Sequence, residues 1–435
     1  MMLIAVSILF ALTGAFALRL AGFNYIGQQP HPLAFPIGMQ IFLVTVPGTL
    51  AIGLFGIPLL YDLQNEIAQS TMRYGVISTM TSIGILLWML AVAFRTRFFV
   101  HVQYRKTETD ISTLRVLTIA SAFILVIKLV SVSEIPLLLA LKGDVQGAAE
   151  AKVRILTNQD GITVFGLNYI FRSFTSVVYL ISVSLVAYDP HNRAKRVVLF
   201  WNLPLMILNA VYDVQKYTLV LLMLLTFWVL YTRTGRFRYI IIGALLGLAL
   251  SLLMFVVTLG YDFDPTLLQS TMYRLFVGQM EGMFYIYEFL RPSPDYAWLG
   301  LPLAPLFGVP QLDPAAEVVK ILFPNAGDTW LNANTYYLAH AWTIFGPLSV
   351  LIGPVMVMLN LIVMLRLAQP LVRQAPQYYL PLLLWQLARL PLINIFTEFL
   401  YFKVALDFAV NLAFVWLVLQ IAKRCTAYQS RLRSH

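Results

Sequence analysis

The fold is decided by apolar stretches such as residues 239–259, which read YIIIGALLGLALSLLMFVVTL and carry no charged side chain. A helix of about 20 apolar residues crosses the roughly 30 Å hydrocarbon core of a bilayer. Comparable stretches recur throughout the 435 residues, of which 60% are hydrophobic and only 11% are charged. Soluble domains carry about 25% charged residues. The chain is therefore predicted to be an all-α, polytopic membrane protein.

Apolar windows on both sides of this stretch predict about 11 transmembrane helices. No internal repeat or low-complexity tract divides them, so residues 1–435 are expected to form a single transmembrane domain. The predicted spans are residues 2–18, 37–61, 75–94, 116–133, 171–188, 197–212, 217–231, 239–259, 343–365, 377–393 and 403–422.

The basic residues predict the orientation, because short cytoplasmic loops retain Lys and Arg. Five basic stretches alternate with the spans and are expected to be cytoplasmic, together with the C-terminus. They hold Arg95, Arg97, Arg105, Lys106 and Arg115; Arg193, Lys195 and Arg196; Arg233, Arg236 and Arg238; Arg366 and Arg373; and Lys423, Arg424, Arg431 and Arg433. The net charge of +10 is thus mainly a topology signal and an attraction to anionic lipid. No nucleic-acid partner is expected, since the positive charge is split among short loops.

Two long connections are predicted to face outward, residues 134–170 and residues 260–342. In the first, a helix over 145–156 carries Glu150, Lys152 and Arg154. One interpretation is an exposed ion pair between Glu150 and Arg154, spaced i,i+4. The other is that Lys152 and Arg154 present positive charge to a phosphate-bearing substrate.

The second long connection begins with Asp262-x-Asp264 before a proline. The two carboxylates are either turn residues or a weak metal pair. Residues 272–285 then predict an amphipathic helix at the membrane interface, with Arg274 and Glu281 two turns apart on one face. Anchoring in the interface accounts for the aromatic residues of this helix but not for both charges.

The second connection ends with residues 328–342, which read DTWLNANTYYLAHAW. Asparagine side chains offer a donor and an acceptor to sugar hydroxyls, and aromatic rings pack on the apolar faces of sugars. The glycan-binding candidates are Trp330, Asn332, Asn334 and Tyr336. The alternative is an interfacial belt of Trp and Tyr with an asparagine cap.

Ionisable side chains inside predicted spans are a further signal, because they are costly in a bilayer and usually functional. Those predicted within or at the ends of spans are Lys128, Asp213, Lys216, Arg389 and Asp407. Either they form a functional site, or the cations reach to the interface and pair with Asp213 or Asp407.

Three motifs resemble the Wzy-type O-antigen and oligosaccharide repeat-unit polymerases of bacterial envelopes. The first is IPLLLALKGD over residues 135–144, followed by Arg154. The second is Gln215-Lys216-Tyr217, which opens a leucine-rich span, and the third is NANTYY over residues 332–337 with Gly346. The layout of spans and outer loops extends the resemblance over essentially the whole chain.

The resemblance implies a GT-C-like glycosyltransferase in the bacterial inner membrane, with two large periplasmic loops and its active site facing the periplasm. Such an enzyme transfers a glycan from undecaprenyl diphosphate to the next lipid-linked repeat unit, so the lipid-linked oligosaccharide is both donor and acceptor. The expected partners also include membrane lipid and a regulator of polysaccharide chain length. The reaction is expected to need no metal or other cofactor.

This chemistry gives the candidate residues their expected roles. Arg154, Lys152, Arg274 and Lys216 are expected to bind the diphosphate, because cations stabilise the charge that develops on the leaving group. His340 and Glu281 are the candidate catalytic residues, since the attacking hydroxyl needs a general base. The alternatives are an O-antigen ligase or another lipid-linked GT-C transferase, and then a polysaccharide or small-solute transporter.

Overall fold

The structure of the protein is a computed structural model. It describes residues 1–27, 30–56, 67–96, 111–156, 159–161, 167–214, 216–259, 265–301, 304–309, 311–324, 333–393 and 395–433. Within these ranges every regular element is a helix, which agrees with the predicted all-α class.

Eighteen helices follow one another along the described chain. They are α1 Met2–Leu20, α2 Ala34–Gly53, α3 Gln69–Arg95, α4 Ile111–Val130, α5 Pro136–Leu141, α6 Val145–Leu156, α7 Leu167–Tyr188, α8 Arg193–Val211, α9 Lys216–Thr234, α10 Arg238–Leu259, α11 Pro265–Phe276, α12 Glu281–Phe289, α13 Pro314–Leu322, α14 Tyr337–Phe345, α15 Ser349–Gln374, α16 Pro376–Ala388, α17 Thr397–Leu400 and α18 Lys403–Arg433. Short 3-10 turns lie at Pro294–Trp298, Ala304–Phe307 and Gly346–Leu348.

Each of the predicted spans overlaps one of these helices. Nine helical segments in the described residues are long and apolar enough to cross a membrane, as expected for a multi-pass membrane protein. Two predicted spans are not among these nine. Helix α10 has 22 residues, long enough to cross a bilayer, but its side chains are described without a gap only as far as Leu253. Helix α16 has 13 residues. At 1.5 Å per residue, α16 is about 20 Å long and ends before it can cross a bilayer.

Two of the spanning segments are irregular. In α2, the stretch Ile37–Thr45 is a π-helix, a geometry often found at functional sites. The segment Tyr337–Gln374 is interrupted at Gly346, whose φ of 57° ends α14 before α15 begins. Both irregularities lie in segments that contact α16 or the residues after it.

Helix α7 lies at the centre of the bundle. Its residues 173–185 are all buried, and it packs against α4, α8, α9, α16 and α18. Its sequence there alternates small hydroxyl residues with apolar ones, and small residues let membrane helices approach closely. The hydroxyl of Ser182 donates to the carbonyl of Val178, which satisfies it within the helix. The central position of α7 places its first turn between the ends of the surrounding helices.

One glycine joins the bundle to the second long connection. Gly48 in α2 is buried, and a Cβ atom added to it would lie 2.2 Å from the carbonyl oxygen of Phe276 at the end of α11. Such a distance is too short for any real contact, so the two backbones approach this closely only because the side chain is absent. At Gly38, ten residues earlier, an added Cβ atom would have no neighbouring atom within 4 Å.

We therefore expect Gly48→Ala to destabilise the protein by about 1–3 kcal/mol, the usual cost of forcing an extra methyl group into a packed site. Gly38→Ala is the matched control and should leave thermal unfolding in a lipid nanodisc unchanged. Equal melting temperatures for the two variants would contradict the close contact between α2 and α11.

Candidate functional site

Five charged residues from separate segments meet at one end of the helix bundle. We call Lys128, Arg172, Asp213, Arg389 and Asp407 the charge cluster. Lys128 ends α4, Arg172 begins α7, Asp213 follows α8, Arg389 follows α16 and Asp407 begins α18. Arg389 and Asp407 act electrostatically on each other, and Asp213, Arg172 and Arg389 act on Lys128. Glu398 also acts on Asp407 and pairs with Lys403 at 3.7 Å, so four cations and three carboxylates leave one positive charge in excess.

Lys128 is the most buried member, with 9% of its surface exposed. Its Nζ donates to Oδ1 of Asn209 at 2.8 Å and lies 4.1 Å from the centre of the Tyr212 ring. A buried ammonium needs such partners, because an unsatisfied charge in a low-dielectric site is very costly. Arg172, by contrast, is exposed, so the cluster has one buried side and one open side.

Arg389 acts electrostatically on Lys128 and Asp407 and is itself affected by Arg172. Its Nη1 donates to Oγ of Ser173 at 3.0 Å, and its guanidinium lies 5.2 Å from the Trp385 ring. Gln386 donates to the same Ser173 oxygen at 3.3 Å. The carboxylate of Asp407 accepts a hydrogen bond from Asn411 at 2.6 Å. These amide and hydroxyl groups surround the charges with polar side chains from α7, α16 and α18.

The early end of α16 positions Arg389. The last carbonyl groups of a helix have no partner within the helix and must find one elsewhere. The carbonyl of Ala388 accepts from Nε2 of Gln40 at 3.0 Å and from the hydroxyl of Tyr217 at 3.4 Å. Gln40 lies in the π-helical part of α2. The helix can thus stop inside the bundle, and a cation directly after it is favoured by the helix dipole.

A second feature is a polar cavity of about 120 Å³ beside the end of α16. It lies between the start of α13, the segment before α14 and the segment after α16. Its lining residues are Asp313, Pro314, Ala315, Ala333, Asn334, Thr335, His340, Ile393 and Ile395. Asn334 is exposed, so the cavity opens to the surface on that side.

His340, a predicted catalytic residue, lines this cavity, and both of its ring nitrogens are hydrogen-bonded. The backbone N–H of Phe396 donates to Nδ1 at 3.1 Å, so Nδ1 is an acceptor. Nε2 lies 3.2 Å from the carbonyl oxygen of Tyr296, which only a donor can satisfy. The imidazole is therefore assigned as the neutral Nε2–H tautomer. It links the segment after α16 to the 3-10 turn Pro294–Trp298.

Asp313 is a site residue that the sequence does not single out. Its Oδ1 accepts from the backbone N–H of Ala315 at 3.0 Å, which makes it the N-cap of α13. Burial raises the pKa of the Asp313 carboxyl, and this effect outweighs the amide hydrogen bonds that lower it. A carboxylate with this pKa shift is thus placed in the wall of a polar cavity.

Glu281, the other predicted catalytic residue, lies next to the cavity wall. It is 4% exposed and accepts a hydrogen bond from the hydroxyl of Tyr285 at 3.3 Å. The N–H of the following residue, Gly282, donates to the carbonyl of Asn334 at 2.9 Å. A Cβ atom on Gly282 would lie 2.6 Å from that oxygen, so only glycine allows this approach. Helix α12 therefore supports the Asn334 wall without placing Glu281 in the cavity lining.

The charge cluster and the polar cavity are joined by the short segment after α16. Arg389 belongs to the cluster, while Ile393 and Ile395 line the cavity. Leu392 accepts a hydrogen bond from the N–H of Tyr337 at 2.8 Å, which fixes the segment against the start of α14. Four residues span at most about 14 Å between Arg389 and Ile393. The two features are therefore parts of one candidate site.

The predicted residues of the first long connection lie elsewhere on the same end. Arg154 forms an ion pair with Glu134, whereas Glu150 accepts from Gln146, so the i,i+4 pair between Glu150 and Arg154 is not seen. Lys152 is half-buried on the same helix. The connection is held near the cluster, because the N–H of Leu137 donates to the carbonyl of Tyr212 at 3.1 Å.

The remaining predicted residues differ in where they lie relative to the cavity. Arg274 is half-buried in α11, and its carbonyl accepts from Gln279 at 2.8 Å. Tyr336 is completely buried, with its ring 4.4 Å from that of Tyr337, so Asn334 is the predicted glycan-binding residue that reaches the cavity. Trp330, Asn332, Asp262, Asp264 and the side chain of Lys216 lie outside the described residues.

Among the described residues, no three or more His, Cys, Asp or Glu side chains are grouped as they would be around a metal ion. Comparison of the chain with models of known protein families, with curated proteins and with solved structures finds no match. The candidate site therefore has to be interpreted from its own chemistry.

The pairing of Lys128 with Asn209 leads to a stability prediction. Asn209→Leu should cost about 1.5–3 kcal/mol, because it leaves a buried ammonium without its acceptor. Lys128→Met combined with Asn209→Leu should recover most of that loss, since both polar partners are then removed. Asn202→Leu, two turns earlier, removes hydrogen bonds to the hydroxyls of Thr118 and Ser182 and to the carbonyl of Val198, all of them neutral, and serves as the control.

The measurement is thermal unfolding in nanodiscs of five proteins: the wild type, Lys128→Met, Asn209→Leu, the double variant and Asn202→Leu. Strictly additive effects of Lys128→Met and Asn209→Leu would show that the two side chains do not depend on each other.

Proposed function

We propose that the protein is a GT-C-like membrane glycosyltransferase that polymerises oligosaccharide repeat units linked to undecaprenyl diphosphate. The growing glycan is transferred as a block to the next lipid-linked repeat at the periplasmic face of the bacterial inner membrane. The proposal is based mainly on one observation. A charge cluster with excess positive charge lies between helix ends, next to a polar cavity.

The charge of the cluster and its position relative to the bilayer both suit a lipid diphosphate. The lipid tail lies in the bilayer, so the diphosphate is presented near the ends of the spanning helices, where Lys128, Arg172 and Arg389 lie. Negative charge grows on the leaving phosphate oxygen as the glycosidic bond breaks. Cations held in place in a partly dry site stabilise that charge without reorganising. The exposed Arg172 gives the site an open edge toward arriving substrate.

The orientation is proposed from the distribution of charge along the sequence. Lys128 precedes the first long connection, and Arg389 follows α16, so both lie at the end that the basic loops predict to be periplasmic. In this proposal Lys152, Arg274 and Lys216 supply further positive charge around the diphosphate, and Arg154 does so once it exchanges Glu134 for a phosphate oxygen. A chain-length regulator is proposed as a partner on the same face.

Two related activities and one different activity compete with this proposal. An O-antigen ligase would use the same donor with another acceptor, as would another lipid-linked GT-C transferase. A carrier of anionic solutes is favoured by a specific observation, namely that buried charges lie where α16 stops inside the bundle and where α2 is π-helical. Transferase and carrier differ in outcome, since a carrier moves solute across a sealed vesicle without making new glycosidic bonds.

The test is a glycan ladder. Cells that lack the gene should make lipopolysaccharide capped with one repeat unit, and the gene should restore long chains. The purified full chain in nanodiscs should lengthen lipid-linked saccharides extracted from membranes of the deletion cells. Long chains in the deletion cells, or solute uptake without chain growth, would refute the polymerase.

Arg172→Ala and Arg389→Ala should each reduce chain growth by at least about 10²-fold, the usual cost of losing one preorganised charge-stabilising group. Lys at either position should restore activity only partly, because an ammonium lacks the planar fork of the guanidinium. Arg236→Ala, an exposed arginine between α9 and α10, is the control and should be fully active. The readout is the ladder from equal amounts of folded protein.

Chain growth by the purified enzyme should also survive EDTA, because the proposed cations perform the charge stabilisation that a divalent ion performs in other transferases. The assay compares ladders before and after chelation. If chelation stops growth and magnesium or manganese restores it, the Asp262 and Asp264 pair becomes the first candidate for a metal site.

A further inference from the structure

We propose that the polar cavity binds the acceptor saccharide and that Asp313 is the general base that activates its attacking hydroxyl. This inference rests on the proposed function and adds to it a second half-site with its own residue for proton transfer.

The lining of the cavity suits a sugar. Asn334, Thr335 and Asp313 bring amide, hydroxyl and carboxylate groups to the cavity, which together donate to and accept from hydroxyls. Ile393 and Ile395 form an apolar wall, which fits the less polar face of a pyranose ring. Because Asn334 is exposed, a saccharide attached to a lipid elsewhere can enter from the surface.

Asp313 is better placed for proton transfer than the residues predicted from the sequence. In His340, Nδ1 already accepts from Phe396 and Nε2 already donates to Tyr296. Glu281 is buried behind the Asn334 wall and does not line the cavity. Asp313 lines it, and the amides of Ala315 and Ala316 use two of the roughly four lone-pair positions of the carboxylate.

The acceptor hydroxyl oxygen attacks the anomeric carbon of the donor glycan, and its proton passes to the carboxylate of Asp313. The bond from the anomeric carbon to the phosphate oxygen breaks, and the lipid diphosphate leaves with the electron pair. Arg389, at most about 14 Å along the chain from Ile393, holds that leaving group. The acceptor and donor sites are thus connected by four residues of chain, and direct transfer requires that the acceptor hydroxyl reach the anomeric carbon of the donor.

Asp313→Asn removes the proposed base but keeps the N-cap of α13, because asparagine caps a helix as well as aspartate does but is not a base. With lipid-linked saccharides extracted from the deletion cells, we expect turnover to fall by about 10²-fold or more. Inhibition by added undecaprenyl diphosphate, which reports the cation site, should be unchanged. Asp295→Asn, in the exposed 3-10 turn of the same connection, is the matched control and should have full activity.

The pH profile of kcat/KM distinguishes a general base from a purely structural residue, because a structural role of Asp313 would not change that profile. A general base must be ionised, so kcat/KM of the wild type should rise with pH through the pKa of Asp313. Burial raises that pKa, so the rise should lie above the ordinary range of aspartate. In Asp313→Asn this acid limb should disappear.

Asn334→Trp tests the binding half of the proposal without touching the helix cap. The bulky side chain at the exposed rim should raise the KM for the acceptor at least several-fold and leave inhibition by undecaprenyl diphosphate unchanged. An unchanged KM in this variant, or wild-type turnover with an intact acid limb in Asp313→Asn, would overturn the inference while leaving the transferase in place. A wild-type enzyme that makes no ladder would instead refute the proposed function itself.

Discussion

The early end of α16 is the constraint on which the candidate site depends. A helix of 13 residues cannot cross the bilayer, so its last carbonyl groups and the next side chain lie inside the bundle. In a medium without water these groups need protein partners. Gln40 and Tyr217 supply them for the carbonyl of Ala388, while Ser173 accepts from Arg389. Gln40 in the π-helical part of α2, Tyr217 in α9 and Ser173 in α7 thus serve a single helix end.

The same helix end also organises the cavity. The chain that leaves α16 is fixed by two interactions with α14: the Leu392 carbonyl accepts from Tyr337, and His340 accepts from Phe396. His340 therefore acts on the site by holding its walls together. Its burial and its two backbone partners give a physical reason for a histidine here that does not require it to move protons. The charge cluster and the polar cavity are joined by one short connection, residues 389–393.

Some residues of the candidate site can be predicted from the sequence and others cannot, and both outcomes have a physical reason. Lys128, Arg389 and Asp407 stood out because charge within an apolar span is visible in any single sequence. Arg172 did not, since it lies at the predicted edge of a span, where arginine is ordinary. Asp313 lies in a long connection without periodicity, where an aspartate before proline indicates a turn or a cap and nothing more. His340 and Tyr336 are predicted to be site residues from their side-chain chemistry. Their hydrogen bonds and burial depend on packing, which the sequence does not show.

By itself the sequence determined the helical class and the repeated membrane spans, because hydropathy and charge are local and additive along the chain. It also showed which spans carry charge. Only the tertiary structure decided which of those charges meet. Lys128 and Asn209 are 81 residues apart in the sequence, and Gln40 and Ala388 are 348 apart. No local pattern encodes such pairs, because they follow from the order in which helices pack around α7 and from the length at which α16 stops.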